Sequence, residues 1–166
     1  MHQFLHALLE WGYIITALFF LLYCSTNKQS KNSVFYTCCI VMGVELLMVI
    51  LEGPLRSLSS GPLKHFLWFN TFAFCEILAL YALYYVHHSN DLTYSKVTRQ
   101  IQYSYATLCC IQLATYWDKV FYDAVHMASI YQIGVPSIVI LAKIVLVVAM
   151  CQALIQRKQH LTVWEK

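Results

Sequence analysis

The feature that most constrains this chain is a succession of five long apolar runs separated by short polar strings. A helix that crosses the hydrocarbon core of a bilayer needs about 20 mostly apolar residues. The alternation of polar and apolar residues that is typical of membrane strands is absent. The sequence therefore predicts an all-α integral membrane protein with a single transmembrane domain over residues 1–166. The predicted spans cover about residues 4–24, 33–51, 66–86, 103–121 and 125–155.

Polar strings and helix breakers mark the limits of these spans. The second span is predicted to stop at Glu52-Gly53-Pro54, and the third at the polar string that starts with His87. The fourth span is the least apolar, so we expect it to pack inside the bundle. Pro136 lies inside the fifth and predicts a kink or a local break there.

The composition agrees with a membrane protein and excludes several other classes. Hydrophobic residues make up 60% of the chain and charged residues 11%, against roughly 45–50% and about 25% in soluble domains. The net charge is only +3, and the basic residues are spread over the connectors without forming a patch, so no nucleic-acid partner is predicted. Cysteines lie in apolar runs without C-x-x-C spacing, which indicates small buried hydrophobes rather than a disulfide or zinc site.

The distribution of basic residues predicts the orientation. Five spans with short connectors make an up-down bundle whose termini lie on opposite sides of the membrane. Cytoplasmic connectors are enriched in Lys and Arg. One set of connectors holds seven such residues and the opposite set three, which favours an external N-terminus and a cytoplasmic C-terminus. The first set is Lys28, Lys31, Lys96, Arg99, Arg157, Lys158 and Lys166; the second is Arg56, Lys64 and Lys119.

Polar and charged residues inside the predicted spans are the candidate functional residues. A charged side chain at the centre of a bilayer costs about 2.5–3.5 kcal/mol on insertion scales. The candidates are Glu10, Glu45, Glu76 and Lys143, together with the amides Asn70, Gln112 and Gln132. Glu76, Gln112 and Lys143 lie near the predicted midplane, and the others lie toward the external side.

Two interpretations of these residues stay open. Matched depth predicts a buried pair between Lys143 and Glu76, because pairing lowers the cost of two charges in hydrocarbon. Intramembrane charges are functional by default, which favours a proton or cation path or a ligand cavity. Alternatively, the polar contacts only fix helix packing or a subunit contact.

Histidines near the predicted external ends raise the question of a metal site. Spacings of three or four residues put side chains on one helix face, where they can share a metal. Histidine is equally at home at a membrane interface, so neither a metal nor another cofactor is predicted. The candidates for a metal site are His2, His6, His65, Asp123 and His126. His87 and His88 are predicted to lie at a solvated helix end.

Two short segments resemble the five-span sterol-isomerase and emopamil-binding family. They are Glu52-Gly53 at the end of the second span and Asn70 followed by Cys75-Glu76 in the third. In that family such glutamates serve a membrane-facing active site. Met48 stands where the family pattern has a histidine, and Gln132 stands approximately for its late asparagine.

Three classes of function remain after this sequence reading. The first is a non-enzymatic subunit of a homo-oligomer or membrane-protein complex that forms a proton or cation path. The second is a small membrane enzyme for a lipidic or sterol-like substrate, with Glu45, Glu52 or Glu76 as acid or base. The third is a membrane-embedded interaction or immunity-type protein. For all three, the predicted location is a plasma or bacterial inner membrane.

Overall fold

The computed structural model describes residues 2–26, 32–122 and 126–164, with side chains for 13–25, 32–122 and 126–155. The described residues form five α-helices and no strand, which confirms the all-α prediction. The helices are α1 His2–Thr26, α2 Ser33–Ser57, α3 Pro62–Ser89, α4 Lys96–Phe121 and α5 Ala128–Trp164.

Local chemistry explains where three of the helices begin. The side-chain oxygen of Asn32 accepts the backbone N–H of Val34 at 3.0 Å and caps α2. In the same way, the hydroxyl of Ser95 accepts the N–H of Thr98 at 3.0 Å and caps α4. Helix α3 starts on Pro62, a residue suited to the first turn because its missing N–H would have no helical partner there.

Helix ends differ from the predicted span limits where the helix continues beyond its apolar run. α2 passes Pro54 and ends at Ser57, with the guanidinium of Arg56 donating to the carboxylate of Glu52 at 2.9 Å across this last turn. α4 begins at Lys96, ahead of the apolar part predicted from residue 103. α5 passes Pro136 without interruption, so the predicted local break is absent.

The helices pack in chain order, each against the next, and α5 returns to α1. α2 also contacts α4 and α5, which makes it the most central helix. The start of α2 meets the end of α5, where the Cys38 thiol lies 3.6 Å from the sulfur of Met150. Neighbouring helices therefore run antiparallel, as their short connectors predict.

The outer surface of the bundle carries many large hydrophobic side chains. Large hydrophobic side chains are exposed on every helix, for example Leu22, Val49, Phe74 and Ile133, each more than 60% exposed. The buried residues meanwhile include a glutamate, a glutamine, a histidine and threonines. Among the described residues, three helices are long and apolar enough to cross a membrane: α2, α3 and α5 up to Ile155. These features point to a membrane location.

The cap of α2 provides a first test of the fold. Replacing Asn32 with alanine removes the acceptor for the N–H of Val34, and N-cap losses of this kind cost about 1 kcal/mol. We expect Asn32→Ala to lower the free energy of unfolding in detergent by that amount. Ser59→Ala, in the connector between α2 and α3, should leave it unchanged. Equal stability of the two variants would contradict the capping role.

Candidate functional site

Lys143 and Glu45 form an ion pair between α5 and α2. The Lys143 Nζ lies 3.5 Å from Oε1 of Glu45, and the two side chains are 20% and 27% exposed. The same ammonium group lies 5.3 Å from the centre of the Tyr13 ring on α1. A carboxylate and an aromatic face thus share one cation, an arrangement that lowers the cost of removing the cation from water.

The prediction that Lys143 pairs with Glu76 was wrong, and helix order explains why. Predicted depth matched Lys143 to Glu76 and put Glu45 nearer the external side, but depth carries no information about which way a helix face points. α2 contacts α5 directly and brings Glu45 to Lys143. Glu76 on α3 faces α4, where the side chain of Gln112 is its polar neighbour.

Glu76 and Gln112 form a second polar centre, deep in the bundle. Glu76 is 2% exposed and Gln112 is 4% exposed. Within the described part of the chain, Oε2 of Glu76 and Oε1 of Gln112 have no hydrogen-bond partner. Buried polar atoms without partners are rare in folded proteins, and their presence requires an explanation.

A line of polar side chains leads from Gln112 toward the start of α3. Gln112 is also a polar neighbour of the Tyr131 hydroxyl on α5. The indole N–H of Trp68 donates to the same hydroxyl at 3.1 Å. Tyr105 on α4 is also buried, and it lies within electrostatic reach of both Glu45 and Glu76. The two polar centres therefore both lie within electrostatic reach of Tyr105.

The remaining predicted members of the polar cluster lie elsewhere. The Asn70 amide donates to the carbonyl oxygen of Phe66 on its own helix at 2.8 Å. Gln132 is exposed on α5 rather than inside the bundle, because the face of α5 that packs inward there carries Tyr131. Glu10 lies on α1, outside the described side chains.

The candidate metal ligands do not come together in the described structure. Nδ1 of His126 lies 3.4 Å from a carboxylate oxygen of Asp118, but the histidine is 85% exposed. The ring of His65 instead lies beside Phe69, with 6.5 Å between ring centres. Among the described residues, no group of three His, Cys, Asp or Glu side chains could hold a metal. The side chains of His2 and His6, and the whole of Asp123, lie outside the described residues.

A third polar centre, which the sequence analysis missed, joins the start of α2, the end of α3 and the start of α4. His87 is 1% exposed, so its predicted position at a solvated helix end was wrong. Its Nε2 lies 2.8 Å from the hydroxyl of Ser33, which lies 2.8 Å from the hydroxyl of Thr98. The ring of His87 also stacks on Tyr94, with 4.8 Å between ring centres. His88 is the exposed member of the pair.

The backbone partner of His87 fixes the direction of the hydrogen bonds. Its Nδ1 lies 2.8 Å from the carbonyl oxygen of Leu83, which can only accept, so Nδ1 carries the hydrogen. In the neutral ring, Nε2 then accepts the hydrogen of the Ser33 hydroxyl. That oxygen in turn accepts the backbone N–H of Ser95 at 3.2 Å. The Thr37 hydroxyl lies 2.9 Å from that of Thr98 and completes the cluster. The polar groups of this cluster form hydrogen bonds with one another and join the ends of three helices, so we call the cluster of Ser33, Thr37, His87 and Thr98 the clamp.

Comparisons with known proteins add no relative, since no family model, curated protein or solved structure matches this chain. The resemblance to the sterol-isomerase and emopamil-binding family therefore rests on its two short segments alone. Of their glutamates, Glu52 is partly exposed and paired with Arg56 on the same helix, whereas Glu76 is enclosed by the bundle.

Proposed function

We propose that the chain is an integral membrane protein that crosses a plasma or bacterial inner membrane with all five helices. The apolar outer surface and the three long apolar helices support insertion. α4 is the most polar of the helices, and its buried polar groups Thr98, Gln112 and Thr115 face the interior, which supports a span shielded from lipid by its neighbours. The excess of basic residues on one set of connectors supports an external N-terminus and a cytoplasmic C-terminus.

We further propose that the bundle interior carries protons between the two sides, as one subunit of an oligomer or membrane complex. The observation that carries this proposal is the presence of two carboxyl groups inside the bundle that both lie within electrostatic reach of one buried tyrosine. Glu45 lies next to Lys143, Glu76 lies next to Gln112, and Tyr105 lies within reach of both carboxyl groups. Ionisable groups at such positions commonly form proton relays in membrane proteins.

Proton flux into liposomes tests this proposal. The purified protein, reconstituted with a trapped pH-sensitive dye, should dissipate an imposed pH gradient faster than protein-free liposomes. Glu76→Gln should abolish the added flux, because an amide cannot bind and release a proton. Glu52→Gln, the same substitution at a partly exposed ion pair on α2, should leave the flux intact. Flux that is absent in the native protein, or retained in Glu76→Gln, would contradict the proposed path.

A further inference from the structure

Two buried oxygen atoms inside the bundle have no hydrogen-bond donor among the described residues. Oε2 of Glu76 and Oε1 of Gln112 are both buried without a hydrogen-bond donor in the described part of the chain. Gln112 on α4 is the polar neighbour of Glu76, and its amide N–H can donate to the other oxygen of the carboxyl group. Both unpartnered atoms are acceptors that belong to one contacting pair of side chains.

The surroundings of Glu76 supply no positive charge in the described structure. The ionisable groups that interact electrostatically with it are Tyr105 and Cys109 from α4, Tyr131 from α5 and its own neighbour Cys75. None of these is cationic. The ammonium group of Lys143 lies beside Glu45 instead. An ionised Glu76 would therefore be a buried charge without a counter-ion, which is costly in a low-dielectric interior.

We propose that Glu76 and Gln112 form a proton-binding site in which a single proton bridges the two side chains. The proton sits on Oε2 of Glu76 and is donated to Oε1 of Gln112, while the Gln112 N–H donates to Oε1 of Glu76. One proton thus gives both unpartnered oxygens a hydrogen bond, and the carboxyl group becomes neutral. A metal ion at the same place would need more oxygen ligands than these two.

This site rests on the proposed proton path for its role, in which Glu76 is loaded with a proton that Gln112 holds until the next transfer. Its chemistry can be measured without any transport. The carbonyl stretch of a protonated carboxyl group is separate from that of a carboxylate, and it moves when the solvent is changed from water to deuterium oxide. We expect the native protein in detergent at neutral pH to show such a band in the infrared difference spectrum between water and deuterium oxide.

Four variants assign the band. Glu76→Gln should remove it, and Glu52→Gln should retain it. Gln112→Leu should keep the band but shift it to higher frequency, because the acid loses its amide partner. Gln102→Leu, the same substitution on α4 outside this pair, should leave the frequency unchanged. If Gln112→Leu does not fold, Gln112→Met serves as the replacement and should show the same shift.

The infrared and flux results separate failure of the site from failure of the path. A native spectrum without a protonated carboxyl band would overturn the site, as would a Glu76 band that Gln112 substitution does not move. A band that behaves as expected in a protein without proton flux would leave the site standing and remove the path. Flux that depends on Glu76 without the band would do the reverse.

Discussion

Replacing Lys143 with methionine should lower the free energy of unfolding in detergent by about 3 kcal/mol, because it removes the ammonium group that offsets the charge of the Glu45 carboxylate inside the bundle. The lower end of the range for buried pairs applies, since both side chains keep some exposure. Glu45→Gln should also destabilise, by stranding the ammonium group. The double variant should recover part of the combined loss, since it removes both charges.

This double-mutant cycle has a matched control and an outcome that would contradict the ion pair. Lys96→Met removes an exposed lysine at the start of α4 and should change stability by no more than about 0.5 kcal/mol. Circular dichroism or a thermal-shift assay in one detergent gives all the values. Additive losses from Lys143→Met and Glu45→Gln would contradict the pair. A coupling of Lys143 to Glu76 in the same assay would restore the pairing that matched depth predicted.

The second large effect is expected at the clamp around His87. His87→Ala should cost about 3 kcal/mol, because it opens a cavity, removes the acceptor of the Ser33 hydroxyl and takes away the ring that stacks on Tyr94. The adjacent His88→Ala is the control. His88 is exposed and stacks only on Tyr84 of its own helix among the described rings, so its loss should stay within about 0.5 kcal/mol.

Hydrogen exchange locates the effect of the His87 substitution. Amide protons at the start of α2, the end of α3 and the start of α4 should exchange faster in His87→Ala, because the cluster joins these three ends. Amides near Glu45 and Lys143 should keep their protection. Equal destabilisation by the two histidine variants would show that the clamp contributes little.

The sequence predicted the helices well because apolar run length is a local property. The runs before residue 24 and after residue 66 each became one helix close to the predicted limits, whereas α2 starts at Ser33 as predicted but ends at Ser57 rather than at residue 51. The limits failed where helical hydrogen bonding continues past the apolar run. α4 starts at Lys96 because Ser95 caps it, although its first turn is polar. Capping depends on backbone geometry, and hydropathy does not report that.

The candidate site was predicted in its residue types and missed in its partners. Intramembrane charge alone singled out Glu45, Glu76 and Lys143, and the structure brings two of them together. Which carboxylate meets the lysine depends on the rotation of each helix about its axis. That rotation follows from the packing of all five helices, so one sequence without related sequences does not determine it.

The clamp had a weaker signal that was available in the sequence. Ser33 and Thr37 are one turn apart at the start of the second apolar run, and Thr98 lies shortly before the fourth, on the same predicted side as His87. Antiparallel neighbours bring these ends together. The position of His87 at the start of a polar string favours a surface location, but the chain that follows turns back and covers the ring. Asp91, with a φ of 51°, makes that turn, and Tyr94 then covers the ring.

The membrane topology tests the central claim most directly. Single cysteines at Ser59, Asn90 and Tyr122 in a cysteine-free variant probe the connectors on each side of α3 and α4. With an impermeant maleimide added to intact cells, the cysteines at positions 59 and 122 should react, and the one at position 90 should react only after permeabilisation. Reaction of positions 90 and 122 from the same side would show that α4 does not cross the membrane and would contradict the five-span bundle.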